Sequence, residues 1–277
     1  MKLSTAIAAL IVAFALPASP AAAQSAAEPA QEKSGSFVES FEFLSDAKWV
    51  RSEGWRNGEH QSCTWSRAEA ATMVGALELT IRKRPRNGTP YTCAEVQSAG
   101  RLGFGTYEAR LKAARGSGVL SALYTYIGTT HGAPHHDGIE IAFLGRDTTK
   151  LQLNYYVGGQ GGHETVIDLG FDAAEEFHTY GFTWTKDNIV WYVDGKVVHE
   201  TPAGAAVPQL PGILFMTTWS GAESMIDWLG PFEFPQKRPI FSADWVTFQE
   251  EGDGLDESDL EHLRMGVGSW AGPRRQG

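Results

Sequence analysis

The sequence predicts an all-β fold, a sandwich or jelly roll of two antiparallel sheets. Three observations carry that expectation. Short runs alternate apolar and polar residues with the period of two that puts successive side chains on opposite faces of a strand. Gly, Pro, Asn and Asp break those runs at regular intervals. No long stretch repeats apolar residues at helical spacing. Leu77-Glu78-Leu79-Thr80-Ile81, residues 106–112, residues 151–157 and Phe182-Thr183-Trp184 are strands on this pattern. Residues 189–193 and 196–199 flank Asp194-Gly195, the strongest hairpin signal in the chain. Such a pair suits a two-residue turn with positive φ at both positions.

The flanking segments have a different texture. Lys2, an apolar run over residues 6–16 and Ala21-Ala22-Ala23 before Gln24 have the three parts of a signal peptide, assigned to residues 1–23. The run is too short to span a bilayer, and no later segment could. The protein is expected to be exported to the periplasm or the medium, with no transmembrane segment. Residues 24–35 are small and polar and read as a linker. Residues 36–250 keep the β texture as one domain, within the size range of all-β units. Residues 251–277 begin acidic, end Gly-Pro-Arg-Arg-Gln-Gly, and read as a mobile tail with room for a short helix at 255–265.

Composition narrows the partners. The 277 residues carry a net charge of −10, which opposes nucleic acid and anionic membrane surfaces. The 31 glycines suit many tight turns, and the 9 tryptophans suit a large core or a sugar-stacking surface. A monomer is expected. Cys63 and Cys93 form an even pair in an exported chain, so one disulfide is the default and two buried thiols the alternative. Three histidines, His131, His135 and His136, lie in a Gly/Pro-containing loop. Their spacing sets no common face for a metal.

The run His136-Asp137-Gly138-Ile139-Glu140-Ile141-Ala142-Phe143-Leu144-Gly145 is the most informative. As a strand it turns Ile139, Ile141 and Phe143 to the core. His136, Gly138, Glu140 and Ala142 take the other face. One carboxylate between the two smallest side chains implies an open surface or a groove there.

This run resembles the signature of the glycoside hydrolase family 16 lichenases (endo-β-1,3-1,4-glucanases). The likeness continues through Cys93-Ala94-Glu95, Gly103-Phe104-Gly105-Thr106-Tyr107-Glu108, Tyr124-Thr125-Tyr126-Ile127-Gly128 and Phe143 to Lys150. It extends through Asn154-Tyr155-Tyr156, Trp191-Tyr192-Val193-Asp194-Gly195 and Asp227-Trp228-Leu229-Gly230, covering about residues 36–249. The resemblance implies a concanavalin-like β-jelly-roll with a concave cleft, β-glucan-type substrates, retaining hydrolysis and a Cys63–Cys93 disulfide. It requires no cofactor, but a structural calcium is often held on the convex side at the position of Asp244.

Retaining hydrolysis needs two carboxyl groups about 5–5.5 Å apart. By the resemblance Gly138 stands at the nucleophile position, Glu140 at the assisting aspartate and Ala142 at the acid/base. The expectation is therefore a secreted lichenase-like pseudoenzyme that binds β-glucan or exopolysaccharide without cutting it. Glu140 is the only motif carboxylate left to a changed mechanism, with His136 on the same predicted face as its proton source. A structural or partner-binding role is the further alternative. The resemblance carries over Asn57, Glu95, Tyr126, Asn154, Tyr156, Trp219 and Trp228 as sugar contacts, and His136 shares their predicted face. Gln97, Thr217 and Ser220 stand where the family has other polar residues, which points to an altered glycan preference.

Overall fold

A computed structural model describes residues 35–128 and 131–254. The expected signal peptide, the linker as far as residue 34, and the tail from 255 with its helix lie outside the described residues. In chain order the strands are β1 Phe37–Glu39, β2 Trp49–Arg51, β3 Cys63–Trp65, β4 Ala70–Met73, β5 Ala76–Thr80, β6 Tyr91–Leu102, β7 Gly105–Lys112 and β8 Val119–Tyr126. They continue as β9 Gly138–Leu144, β10 Lys150–Tyr156, β11 Thr165–Asp168, β12 His178–Trp184, β13 Ile189–Val193, β14 Lys196–Glu200, β15 Gly212–Ser220 and β16 Ile240–Glu250.

These strands make two sheets. The first has the order β14-β13-β12-β7-β16-β5-β4, with β1 also on β16. The second has the order β11-β10-β9-β8-β15-β6-β2, with β3 also on β6. Every pairing is antiparallel except β3 with β6. The predicted sandwich is therefore present, with one parallel addition. The Asp194-Gly195 turn has φ of 48° and 71°, as the hairpin signal requires. The only α-helix among the described residues is Ile226–Leu229, and no described helix is long and apolar enough to cross a membrane.

Alternation explains the core. In β7, Tyr107, Ala109 and Leu111 are buried while Thr106, Glu108 and Arg110 are not. Ile139, Ile141 and Phe143 of β9 are likewise buried, the Phe143 ring meeting Tyr180 of the first sheet edge-on at 4.8 Å. Each such large side chain contributes about 1.5–3 kcal/mol by leaving water. The core-facing half of β9 thus follows the sequence pattern and fixes which residues it turns outward.

Cys63 and Cys93 are joined, with a Cα–Cα separation of 5.8 Å. The bond fastens three-residue β3 beside β6, and the Gln61 amide approaches both sulfurs. Ser62 adds a contact to the Ser220 hydroxyl at 2.8 Å. Asp244 lies in β16 on the first sheet and accepts from Arg110 Nη1 at 2.5 Å. Its carboxylate charge is met there by a side-chain cation. No cluster of three or more His, Cys, Asp or Glu suited to a metal occurs among the described residues.

Candidate functional site

Residues directly opposite in paired strands share a face, so register maps the outer face of the second sheet. One row runs Asn154, Glu140, Tyr124, Phe215, Gln97 across β10, β9, β8, β15 and β6. The next runs Gln152, Ala142, Ala122, Thr217, Glu95. On the other side of Glu140 lie Tyr156, Gly138 and Tyr126. Among the described residues no third layer covers this face, yet Ala142, Asn154, Thr217 and Glu95 are each buried. It is therefore a recess walled by loops. His60 of the loop before β3 meets the Trp219 ring edge-on at 5.7 Å. Trp228, from the short helix, lies 6.4 Å from Trp219 and donates its indole N–H to Gln152 at 3.0 Å.

Glu140 is at the centre. It accepts no hydrogen bond from any described residue, and burial followed by the Glu164 charge pushes its carboxyl up to about 7. That is the range of a carboxylic acid that can hold a proton at neutral pH. Glu95 has a different character. Its Oε1 accepts from Ser52 at 2.6 Å and Gln97 at 3.0 Å, and its Oε2 accepts from the Tyr124 hydroxyl at 3.2 Å. Burial raises this carboxyl against those hydrogen bonds. Both oxygens are engaged within the protein, which ties Glu95 to Ser52, Gln97 and Tyr124.

His136 lies among aromatic rings. It stacks on Tyr156 at 4.5 Å, meets Tyr126 edge-on at 5.0 Å, and accepts from the Gly132 backbone N–H at Nδ1. Burial, then the nearby His131, lowers it to about 4. At neutral pH the ring is uncharged and keeps one N–H. It packs against both tyrosines. Asn154 accepts from the Tyr155 N–H and donates to Glu164 at 3.3 Å. Asn57 stands exposed before β3, accepting from the Trp65 indole at 3.0 Å.

Gly138 and Ala142 differ in surroundings. At Gly138 a Cβ would stand 2.7 Å from the Thr125 carbonyl oxygen, so a side chain there requires the neighbouring strand to shift. Ala142 faces Ala122 and Gln152 across the ladder. Four contributors escaped the sequence reading: Gln152, Glu164, His60 and Asp137. Gln152 alone had a signal, being in phase with Asn154 and Tyr156. Asp137 is buried and accepts from the backbone N–H groups of Gly158, Gln209 and Leu210 at 2.8, 2.7 and 3.1 Å. It ties the start of β9 to two loops remote in sequence.

The family model of Glycosyl hydrolases family 16 matches residues 57–245, which take in the whole of this recess. The chain belongs to that family. Among family 16 relatives it is 40% identical over 218 residues to the endo-1,3-1,4-beta-glycanase ExoK of Rhizobium meliloti (strain 1021), covering 79% of this chain and 80% of that one. It is 39% identical over 218 residues to the beta-glucanase of Bacillus amyloliquefaciens, covering 78% and 88%. The solved structure of Bacillus licheniformis beta-glucanase superposes with a TM-score of 0.73 at 38% identity, covering 79% of this chain and all of that one. The family 16 fold expected from the sequence is thus found in sequence and in structure.

Proposed function

We propose that this family 16 protein binds β-linked glycan in the recess of its second sheet and does not cleave it by the retaining route. One observation carries the reading. On the outward side of β9, Gly138, Glu140 and Ala142 supply one carboxylate where the family's chemistry uses a pair. A retaining glycosidase needs a nucleophile and an acid/base about 5–5.5 Å apart. Without the nucleophile no glycosyl-enzyme forms, and without the acid the leaving oxygen is not protonated, a loss of about 10²–10⁴ on its own. Trp219, Trp228 and Tyr156 remain as faces for sugar rings, and Gln152 and Thr217 as polar groups beside them. The names of the relatives make mixed-linkage β-glucan the first ligand to try. We further propose that the chain acts as an exported monomer.

Calorimetry against a panel of β-glucan and exopolysaccharide oligosaccharides tests this, with product analysis on the same mixtures. Binding without new reducing ends is the expected result. No binding at millimolar oligosaccharide overturns it. A second reading has one observation in its favour: a carboxyl at about 7 is poised as a general acid at neutral pH. If slow turnover is found, Glu140→Gln abolishes it on that reading, and unchanged turnover rules it out.

A further inference from the structure

The outer face of the second sheet carries more acceptors than the protein's own donors meet. Glu95, Glu140 and Glu164 follow one another across it. Burial, then the charges of Glu95 and Glu140, push the Tyr124 phenol well up; burial, then Glu140 and Glu164, do the same at Tyr156. Tyr124 therefore lies between the first two carboxylates and Tyr156 between the second two. Glu95 is satisfied by its own network. Glu140 is not, and among the described residues no Lys or Arg pairs with any of the three. A second, separate observation points to the same space. Thr217 is 2% exposed, and its hydroxyl has no partner. It faces outward two strands from Ala142, about 10 Å away at two strand spacings. Ala122 and Ala142 keep the floor between them low.

We propose that the sugar seated over Ala122 and Ala142 carries a free amino group, so that the preferred ligand is a β-linked hexosamine oligomer with its ammonium on Glu140 and a hydroxyl on Thr217. This rests on the glycan-binding reading and names the sugar class. A neutral hydroxyl offers Glu140 one donor and no charge. An ammonium offers three donors and a positive charge, and here it meets two neighbouring carboxylates that lack a counter-ion. Acetylation of the nitrogen removes the charge and adds bulk above the Tyr124 row. The net charge of −10 favours approach of a cationic chain.

Calorimetry on the full-length protein decides the matter, with three oligomers of equal length and linkage: β-linked glucosamine, its N-acetylated form, and glucose. The glucosamine oligomer should bind about tenfold tighter than glucose, the margin by which a charge-assisted hydrogen bond exceeds a neutral one. That margin should shrink as salt is added. Glu140→Gln should bring the glucosamine-to-glucose ratio close to one. Glu164→Gln, at an exposed position, should lower the ratio partway and guards against a folding defect at Glu140. Binding of glucose with no preference for the amine overturns this inference and leaves the glycan-binding reading standing. A preference that survives Glu140→Gln also overturns it. Binding of none of the three overturns both.

Discussion

Replacing Glu140 by glutamine tests the electrostatics of the recess directly. In the folded protein this carboxyl titrates near 7, against 4.5 for an unhindered glutamate. The folded state therefore keeps a proton that the unfolded chain releases. Glu140 adds stability below about pH 4.5, and that contribution is lost as pH rises through 7. A difference of 2.5 units, at about 1.4 kcal/mol each, sets the loss at up to about 3 kcal/mol. Glutamine keeps the shape and never ionises, so it avoids the loss. Urea unfolding of both proteins from about pH 4 to pH 8 should show the variant's relative stability climbing by up to about 3 kcal/mol across that window. Near pH 8 this is a gain of about 6–12 °C in Tm for a domain of this size. His136 works in the opposite direction. Its folded value of about 4 lies below 6.5, so its stability is lost as pH falls through that range. The wild-type curve is flattened by the two together, but His136 is common to both proteins and cancels in the difference. A difference that stays level with pH, or that falls toward alkaline pH, refutes the reasoning.

Three other outcomes follow from the geometry. Cys63→Ser with Cys93→Ser opens a loop of 30 residues and should cost about 3–4 kcal/mol in denaturant unfolding, with the loss absent when wild type is compared under reducing conditions. Gly138→Ala sets a methyl group against the Thr125 carbonyl and should destabilise by about 1–3 kcal/mol, so placing glutamate at 138 requires movement of β8; an unchanged Tm shows that the strand yields freely. Thr217→Val removes a buried hydroxyl without a partner and should hold or raise stability by up to about 1 kcal/mol while weakening every bound glycan; equal glycan affinity shows that the hydroxyl meets no ligand.

Much of this molecule is legible in the sequence because strands have a period of two. That period assigned Ile139, Ile141 and Phe143 to the core and Gly138, Glu140 and Ala142 to the outside, and the Asp194-Gly195 turn followed from local backbone preference alone. What it omits is which outward residues become neighbours across strands. Glu95 finds Ser52 and Tyr124, 43 and 29 positions away, and is held in a network that no local pattern shows. Arg110 meets Asp244 across 134 positions and answers its charge. His136 lies against Tyr156 only because β9 and β10 pair in one register. Alternation says which side a residue faces; the company it keeps there is set by topology.

Asp137 gives this arrangement a further consequence. One buried carboxylate gathers backbone donors from residues 158, 209 and 210, so the loop beside Tyr156 and the segment entering β15 are held even with nothing bound. A ligand arriving at such a rim has little chain left to immobilise, and the entropy of ordering these loops was spent during folding. Discrimination then depends on whether a sugar fits walls that are already fixed.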